Sequence, residues 1–146
     1  MKKAVVTIFL CIPVIVSGIF LRKNSPISAK KPQLFVQKVS PGEKIFKKYC
    51  ISCHQADGGG VPNLNPPLIK TPYVLGDKKK LIKIILHGLN ENIEIKGEFF
   101  SNPMPELSIL KDQEIADVLT YVRSNFGNKA SAVTAAEVKA ARSEPK

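Results

Sequence analysis

The sequence has no tryptophan, only three cysteines and two histidines, and no internal repeat among its 146 residues. So few cysteines exclude a small domain held together by a framework of disulfide bonds. The net charge is +10, but there are no arginine runs and no alternation of basic with aromatic residues. Nucleic acid is therefore not expected as a partner. The length allows one domain of ordinary size.

An apolar run opens the chain. Residues 4–21 are 18 uncharged residues, Cys11 among them, flanked by Lys2, Lys3, Arg22 and Lys23. As a helix the run would cover about 27 Å, close to the roughly 30 Å of a bilayer's hydrocarbon core. It is long for the apolar core of a cleaved signal peptide, usually about 7–15 residues. We interpret residues 1–23 as a membrane anchor, and the alternative is a signal peptide that is removed.

Both interpretations export the rest of the chain to the periplasmic, extracytoplasmic side of a membrane. Cleavage would start the mature protein at Ile19 or at Lys30. Residues 1–29 carry four basic residues and no acidic one, so 18 basic and 12 acidic residues remain beyond them. The exported part is thus moderately basic, near +6.

The remaining chain divides by composition into three parts. Residues 24–39, rich in Lys, Pro and Ser, are typical of a linker. Residues 40–128 hold the apolar patterns of a folded domain. Residues 129–146 form a polar extension, in which residues 134–141 favour a short surface helix.

Three helices are predicted inside the domain. The first begins at Ser40, a good N-cap followed by Pro41, and ends near residue 50. The second is capped by Asp77, and the third runs from near Asp112 to a stop before Gly127. Residues 57–72 and 91–105 are predicted to be irregular because proline, glycine and asparagine interrupt them. Loops of that length are uncommon in a compact domain unless something organises them, and a large flat cofactor would do so.

The clearest motif is Cys50-Ile51-Ser52-Cys53-His54. C-x-x-C-H is the attachment signature of c-type haem. The spacing puts both thiols on one helical turn, at the separation of two vinyl groups, and the next imidazole can bind the iron. A zinc site would need four ligands, and a thioredoxin-like redox site would need a βαβ context. Neither is present, so the motif predicts one covalently attached haem c with His54 as a metal ligand.

Met104 is predicted to be the sixth ligand of the iron. It is the only methionine besides Met1 and stands between Pro103 and Pro105, which stiffen the loop that presents its side chain. The competing ligand is His87, predicted to lie near the end of the second helix and to be a surface residue.

With this motif and the Pro-Met-Pro loop, residues 40–127 resemble the class I, monohaem, Met/His-ligated c-type cytochromes. They are especially similar to the small domains that serve periplasmic dehydrogenases, nitrite reductases and terminal oxidases. The resemblance implies an all-α fold of three main helices and long loops wrapped around the haem, here preceded by an N-terminal hydrophobic helix.

The resemblance also assigns contacts. It implies that Gly42 and Phe46 of the first helix cross the last helix at Val118 and Tyr121. It implies further that a proline carbonyl, of Pro66 or of Pro67, accepts a hydrogen bond from the His54 ring. One departure is Lys111, which stands where such proteins commonly have a serine cap, so Asp112 is an alternative cap.

The function implied is transfer of single electrons between redox partner proteins, with no small-molecule substrate and no catalysis by the chain itself. Methionine ligation raises the reduction potential relative to two histidines. One alternative is a haem-bearing subunit of a larger oxidase or dehydrogenase complex, and another is a haem enzyme or gas sensor with a labile sixth ligand. The partner is expected to offer an acidic docking face to exposed lysines, namely Lys47, Lys48, Lys78, Lys79 and Lys80.

Overall fold

The computed structural model describes residues 38–145, which form six helices and one two-stranded antiparallel sheet. In chain order these elements are α1 (Pro41–Tyr49), α2 (Ile51–His54), α3 (Pro72–Leu75), α4 (Lys78–His87), β1 (Ile93–Ile95), β2 (Glu98–Phe100), α5 (Asp112–Ser124) and α6 (Ala135–Arg142). The predicted membrane segment, with Cys11, and most of the predicted linker lie outside the described residues. Within residues 38–145, no helix has the length and hydrophobicity that crossing a bilayer requires.

The three predicted helices are α1, α4 and α5, and their first two caps are those expected. The Ser40 hydroxyl accepts from the Glu43 N–H at 3.1 Å, and the Asp77 carboxylate accepts from the Lys79 N–H at 2.7 Å. Each cap satisfies an N–H group that has no partner inside its helix. Because six helices and only two three-residue strands make up the domain, the all-α fold predicted from the sequence is confirmed.

Helix α5 begins without a side-chain cap from its N-cap residue. Lys111 occupies the N-cap position and has no acceptor in its side chain. Instead the Glu114 carboxylate reaches back to the Lys111 N–H at 2.8 Å. One half of a capping box is enough here, and Asp112 is the first helical residue rather than the cap.

Helices α1 and α5 cross in close contact at Gly42. A Cβ atom on Gly42 would lie 2.7 Å from the Tyr121 Cβ and would overlap the Asp117 carbonyl oxygen. The ring of Phe46 packs at 5.5 Å from Tyr121 and at 5.3 Å from Phe126, between ring centroids. The predicted contact of Gly42 and Phe46 with Tyr121 is confirmed, and Phe126 joins it. Val118, the other predicted partner, is buried in the same hydrophobic core as Phe46.

The prediction that residues 91–105 are irregular was wrong for β1 and β2. These strands pair in register, with Ile93 opposite Phe100 and Ile95 opposite Glu98. Lys96 and Gly97 form the two-residue turn with positive φ angles of 54° and 85°, as tight hairpins require. The alternation of Ile93, Glu94 and Ile95 before a glycine was the available signal.

Two short helices also differ from expectation. Helix α3 begins at Pro72, where only loop was predicted, and the Thr71 hydroxyl caps it through the Val74 N–H at 3.2 Å. Helix α6 lies where a surface helix was expected, but Val138 and Ala141 on it are fully buried. The C-terminal extension therefore contributes to the hydrophobic core, which it shares with α4 and α5.

Two buried polar side chains connect distant segments. Arg123 on α5 donates to the carbonyl oxygens of Val74 and Gly76, at 2.5 and 3.2 Å, and to that of Ser131 at 2.8 Å. Asn128 accepts from the Lys70 N–H at 2.7 Å and donates to the carbonyl oxygens of Leu68 and Val122. Such hydrogen bonds offset the cost of burying polar groups, and they fix the loop at residues 68–76 against α5.

Candidate haem site

A large, mostly apolar cavity lies in the middle of the domain. Its empty volume is about 1260 Å³, part of it open to solvent. Every helix and strand except α6 contributes lining residues, and the four predicted site residues, Cys50, Cys53, His54 and Met104, are all among them.

The two thiols of the motif lie at the junction of α1 and α2. Cys50 is buried and Cys53 is half-buried, and they are not joined in a disulfide. Burial, with a smaller contribution from Cys53, raises the pKa of the Cys50 thiol to about 11. A thiol with so high a pKa is poorly suited to thiolate redox chemistry, which depends on a lowered pKa.

The His54 ring is oriented by the loop that follows it. Its Nδ1 lies 2.9 Å from the carbonyl oxygen of Pro66, which settles the choice between Pro66 and Pro67. Because a carbonyl oxygen only accepts, Nδ1 carries the proton and Nε2 keeps its lone pair. Burial lowers the pKa of His54, and the hydrogen bond to Pro66 partly opposes this. A neutral imidazole is the form that binds a metal.

Close packing of Gly60 holds the Pro66 carbonyl in place. A Cβ atom on Gly60 would lie 2.7 Å from both the carbon and the oxygen of that carbonyl. Gly60 also has a φ of +69°, which disfavours other residues. Sequence analysis did not single out Gly60, although three consecutive glycines begin four residues after His54.

Met104 is held in the loop by backbone pairing with Leu89. The N–H of each residue donates to the carbonyl oxygen of the other at 2.9 Å. The side chain of Met104 is half-buried and packs against the main hydrophobic core. Three residues further on, the Leu107 N–H donates to the Ile85 carbonyl oxygen at 2.8 Å. The loop is thus attached at two points, Met104 and Leu107, to the C-terminal part of α4 and the residues just after it.

His87 does not line the cavity. It is half-buried, and with Lys79, Lys80 and Lys83 it lines a shallow groove on the outer side of α4. Its Nε2 atom is buried without a hydrogen-bond partner among the described residues. His87 is therefore neither a fully exposed surface residue nor positioned like the four cavity residues.

Sequence analysis missed the β-hairpin, which forms one wall of the cavity. Ile93, Ile95 and Phe100 make a small second cluster with Tyr73 and Leu89, and the three hairpin residues line the cavity. An apolar wall, two thiols, a neutral imidazole and a thioether suit a flat, hydrophobic, iron-bearing macrocycle. The residues present therefore fit a haem.

Residues 39–126 match the family described as Cytochrome c, and the chain belongs to this family. The domain is thus a class I c-type cytochrome: an electron-carrying protein whose haem c is covalently bound.

The curated relatives are cytochromes of two kinds. Cytochrome c-552 of Thermus thermophilus is 37% identical over 91 residues, which cover 60% of this chain and 69% of that protein. The cytochrome c subunit of the quinone-dependent alcohol dehydrogenase of Gluconacetobacter polyoxogenes is 38% identical over 103 residues. The fructose dehydrogenase cytochrome subunit of Gluconobacter japonicus is 31% identical over 120 residues. The matches cover 67% and 79% of this chain, but only 21% and 24% of those two subunits.

Proposed function

We propose that Cys50 and Cys53 attach the haem, that His54 and Met104 ligate its iron, and that the chain passes single electrons between redox partner proteins. The observation that carries this is the convergence of the four side chains on one apolar cavity, with the His54 ring held by Pro66. When bound, the haem supplies one-electron chemistry at iron.

The chain's own residues would attach the haem, orient the imidazole that binds its iron and keep water out of the cavity. Each thiol would add across one vinyl group, its sulfur bonding to one carbon and its hydrogen going to the other, with no net oxidation. Pro66 keeps the proton of His54 on Nδ1, so that Nε2 is available to the iron. The apolar walls exclude water, and the thioether of Met104 favours ferrous iron. With His54 and Met104 both bound to the iron, no coordination site would remain for a substrate, so we infer that the chain is not itself an enzyme.

Two lysines at the rim of the cavity are the best-placed contacts for an acidic partner. Lys48 Nζ lies 4.9 Å from the centroid of the Tyr49 ring, and Lys80 Nζ lies 4.9 Å from that of Tyr73. Both tyrosines line the cavity. The other three predicted docking lysines form ion pairs, Lys47 with Glu43, Lys78 with Glu137 and Lys79 with Glu144. Their charge is largely neutralised locally, so docking falls to Lys48 and Lys80.

A stable place in a dehydrogenase complex is the second candidate. Two of the relatives are named as cytochrome subunits of dehydrogenases, and this chain spans only about a fifth to a quarter of their length. Extraction in mild detergent followed by size-exclusion chromatography distinguishes the two roles, because a free carrier elutes alone with its haem absorbance. The same separation, begun from washed membranes, tests the proposed anchor at residues 1–23. Such an anchor would hold the domain on the periplasmic side of the membrane.

Attachment is tested by denaturing gel electrophoresis with a haem stain. The wild-type polypeptide should keep its haem after boiling and after acid-acetone extraction. The double variant Cys50→Ala and Cys53→Ala should lose it, and each single variant should retain one thioether bond. Haem that extracts freely from the wild-type protein would contradict the attachment.

A further inference from the structure

The chain beyond the family match grips the segment that follows Met104. Arg142, at the end of α6, donates through Nη1 to the Ser108 carbonyl oxygen at 2.9 Å and through Nη2 to the Leu110 carbonyl oxygen at 2.8 Å. Its Nε donates to the Asp112 carboxylate at 2.8 Å. One guanidinium thus holds three points on residues 108–112, whereas the match to the family ends at residue 126.

This grip comes from a fixed element. The buried side chains of Val138 and Ala141 seat α6 on the core. Glu137 at its first turn pairs with Lys78 of α4 at 2.8 Å. Because the helix is already immobilised, holding the guanidinium in place costs less conformational entropy than holding a free arginine.

The segment that Arg142 binds follows the Met104 loop directly in the chain. N-terminal to the segment that Arg142 binds, the backbone of Met104 pairs with that of Leu89, and the backbone N–H of Leu107 donates to Ile85. From there to the start of α5, the carbonyl oxygens that Arg142 binds are those of Ser108 and Leu110. A movement of Met104 out of the cavity that extends along the chain past Leu107 must break the Arg142 bonds, so these bonds oppose that opening.

We propose that Arg142 is a positioning residue for Met104, which holds the loop closed and lowers the population of the state in which the sulfur has left the iron. This rests on the proposed ligation by Met104. The ion pair with Asp112 is about one-third exposed at both side chains and contributes little. The two carbonyl bonds carry the effect, because they join the extension directly to the loop backbone.

Cyanide binding to the ferric, full-length holoprotein measures the opening. Cyanide enters only when the sixth position is vacant, so its rate follows the open population if closing is fast. Arg142→Gln should speed binding by about fivefold or more, the factor that one net hydrogen bond represents. Arg142→Lys, which keeps the charge beside Asp112 but cannot reach both carbonyl oxygens, should fall between that variant and the wild type.

Glu144→Gln is the matched control. Glu144 lies just beyond the same helix end but pairs with Lys79 and Lys83 of α4, not with the Met104 loop. It should leave the cyanide rate near that of the wild type even if urea unfolding shows an equal loss of stability. A wild-type rate in Arg142→Gln, or an equal acceleration in Glu144→Gln, would overturn the proposal.

Met104→Ala separates this proposal from the ligand assignment. If Met104→Ala binds cyanide much faster than the wild type while Arg142→Gln does not, the ligation stands and the role of Arg142 fails. If Met104→Ala binds cyanide no faster than the wild type, Met104 is not the ligand and both proposals fall.

Discussion

The Nδ1 atom of His54 donates to the carbonyl oxygen of Pro66 across 2.9 Å, and the backbone of Gly60 packs directly against that carbonyl. Two residues of the loop that follows α2 therefore fix one imidazole. A hydrogen bond of this kind raises the basicity of the ring and so stabilises the ferric state.

Gly60→Ala should weaken this hydrogen bond and raise the midpoint potential. The added methyl group would overlap the Asn65 carbonyl oxygen and sit 2.7 Å from the Pro66 carbonyl, so the backbone at residues 65–66 must shift. Potentiometric titration of the holoprotein measures the shift. Gly97→Ala is the control, because Gly97 shares a positive φ of 85° but has open space around it. An equal rise of the midpoint potential in both variants would mean that backbone strain, not the Pro66 contact, is responsible.

Met104→Ala should remove the weak red charge-transfer band of sulfur-ligated ferric haem, lower the potential and let carbon monoxide bind the ferrous protein. The reason is that no other methionine lies in residues 38–145 to replace the thioether. His87→Ala is the control and should leave the band intact, since His87 lies outside the cavity lining. Loss of the band in His87→Ala alone would transfer the ligand role to His87.

Electron transfer from the native donor should slow as salt increases. Attraction between Lys48, Lys80 and an acidic partner acts mainly on the encounter rate and is screened over about 8–10 Å at physiological salt. Lys48→Glu and Lys80→Glu should slow reduction without changing the potential. Lys139→Glu makes the same charge change on α6, away from the cavity lining, and should have a smaller effect. Rates that ignore salt and all three reversals would indicate an apolar or permanent contact.

The docking of α6 should weaken in acid. Hydrogen bonds from Lys78 and Thr134 lower the pKa of Glu137 to about 2. A carboxyl group with a lowered folded-state pKa stabilises the fold above its unfolded pKa, near 4.5, and this contribution is lost as pH falls toward 2. The wild-type protein should therefore lose more stability between pH 5 and pH 3 than Glu137→Gln does, by urea unfolding. Because Glu137 is partly exposed, the difference should be small. Parallel pH profiles would show that this pair contributes nothing.

The sequence was most informative where the signal is local. The Cys50–His54 motif, the caps at Ser40 and Asp77, and the lone methionine at Met104 each lie within a few adjacent residues. These patterns were enough for the fold class and the cofactor.

Features that depend on distant segments were missed. Arg123 reads as an ordinary charged residue on a helix, yet it is buried because the carbonyl oxygens of Val74, Gly76 and Ser131 surround it. The β-hairpin was missed because its three-residue strands offer a single apolar–polar–apolar alternation, which is too short to decide between strand and loop. The start of α5 is a different case, because its hydrogen bond is local: Glu114, three residues after Lys111, accepts from the Lys111 N–H.

The hydrogen bonds of Asn128 have a consequence for the order of folding. They join Leu68 and Lys70 to a residue about sixty positions later in the chain, and Arg123 joins Val74 and Gly76 in the same way. Contacts so distant in sequence form slowly, since a long loop must close before they contribute. An emerging chain therefore displays Cys50 and Cys53 well before the loop at residues 68–76 can settle over them. Attachment of the prosthetic group would then act on an incompletely folded chain, to whose loop at residues 68–70 Asn128 is bonded only afterwards.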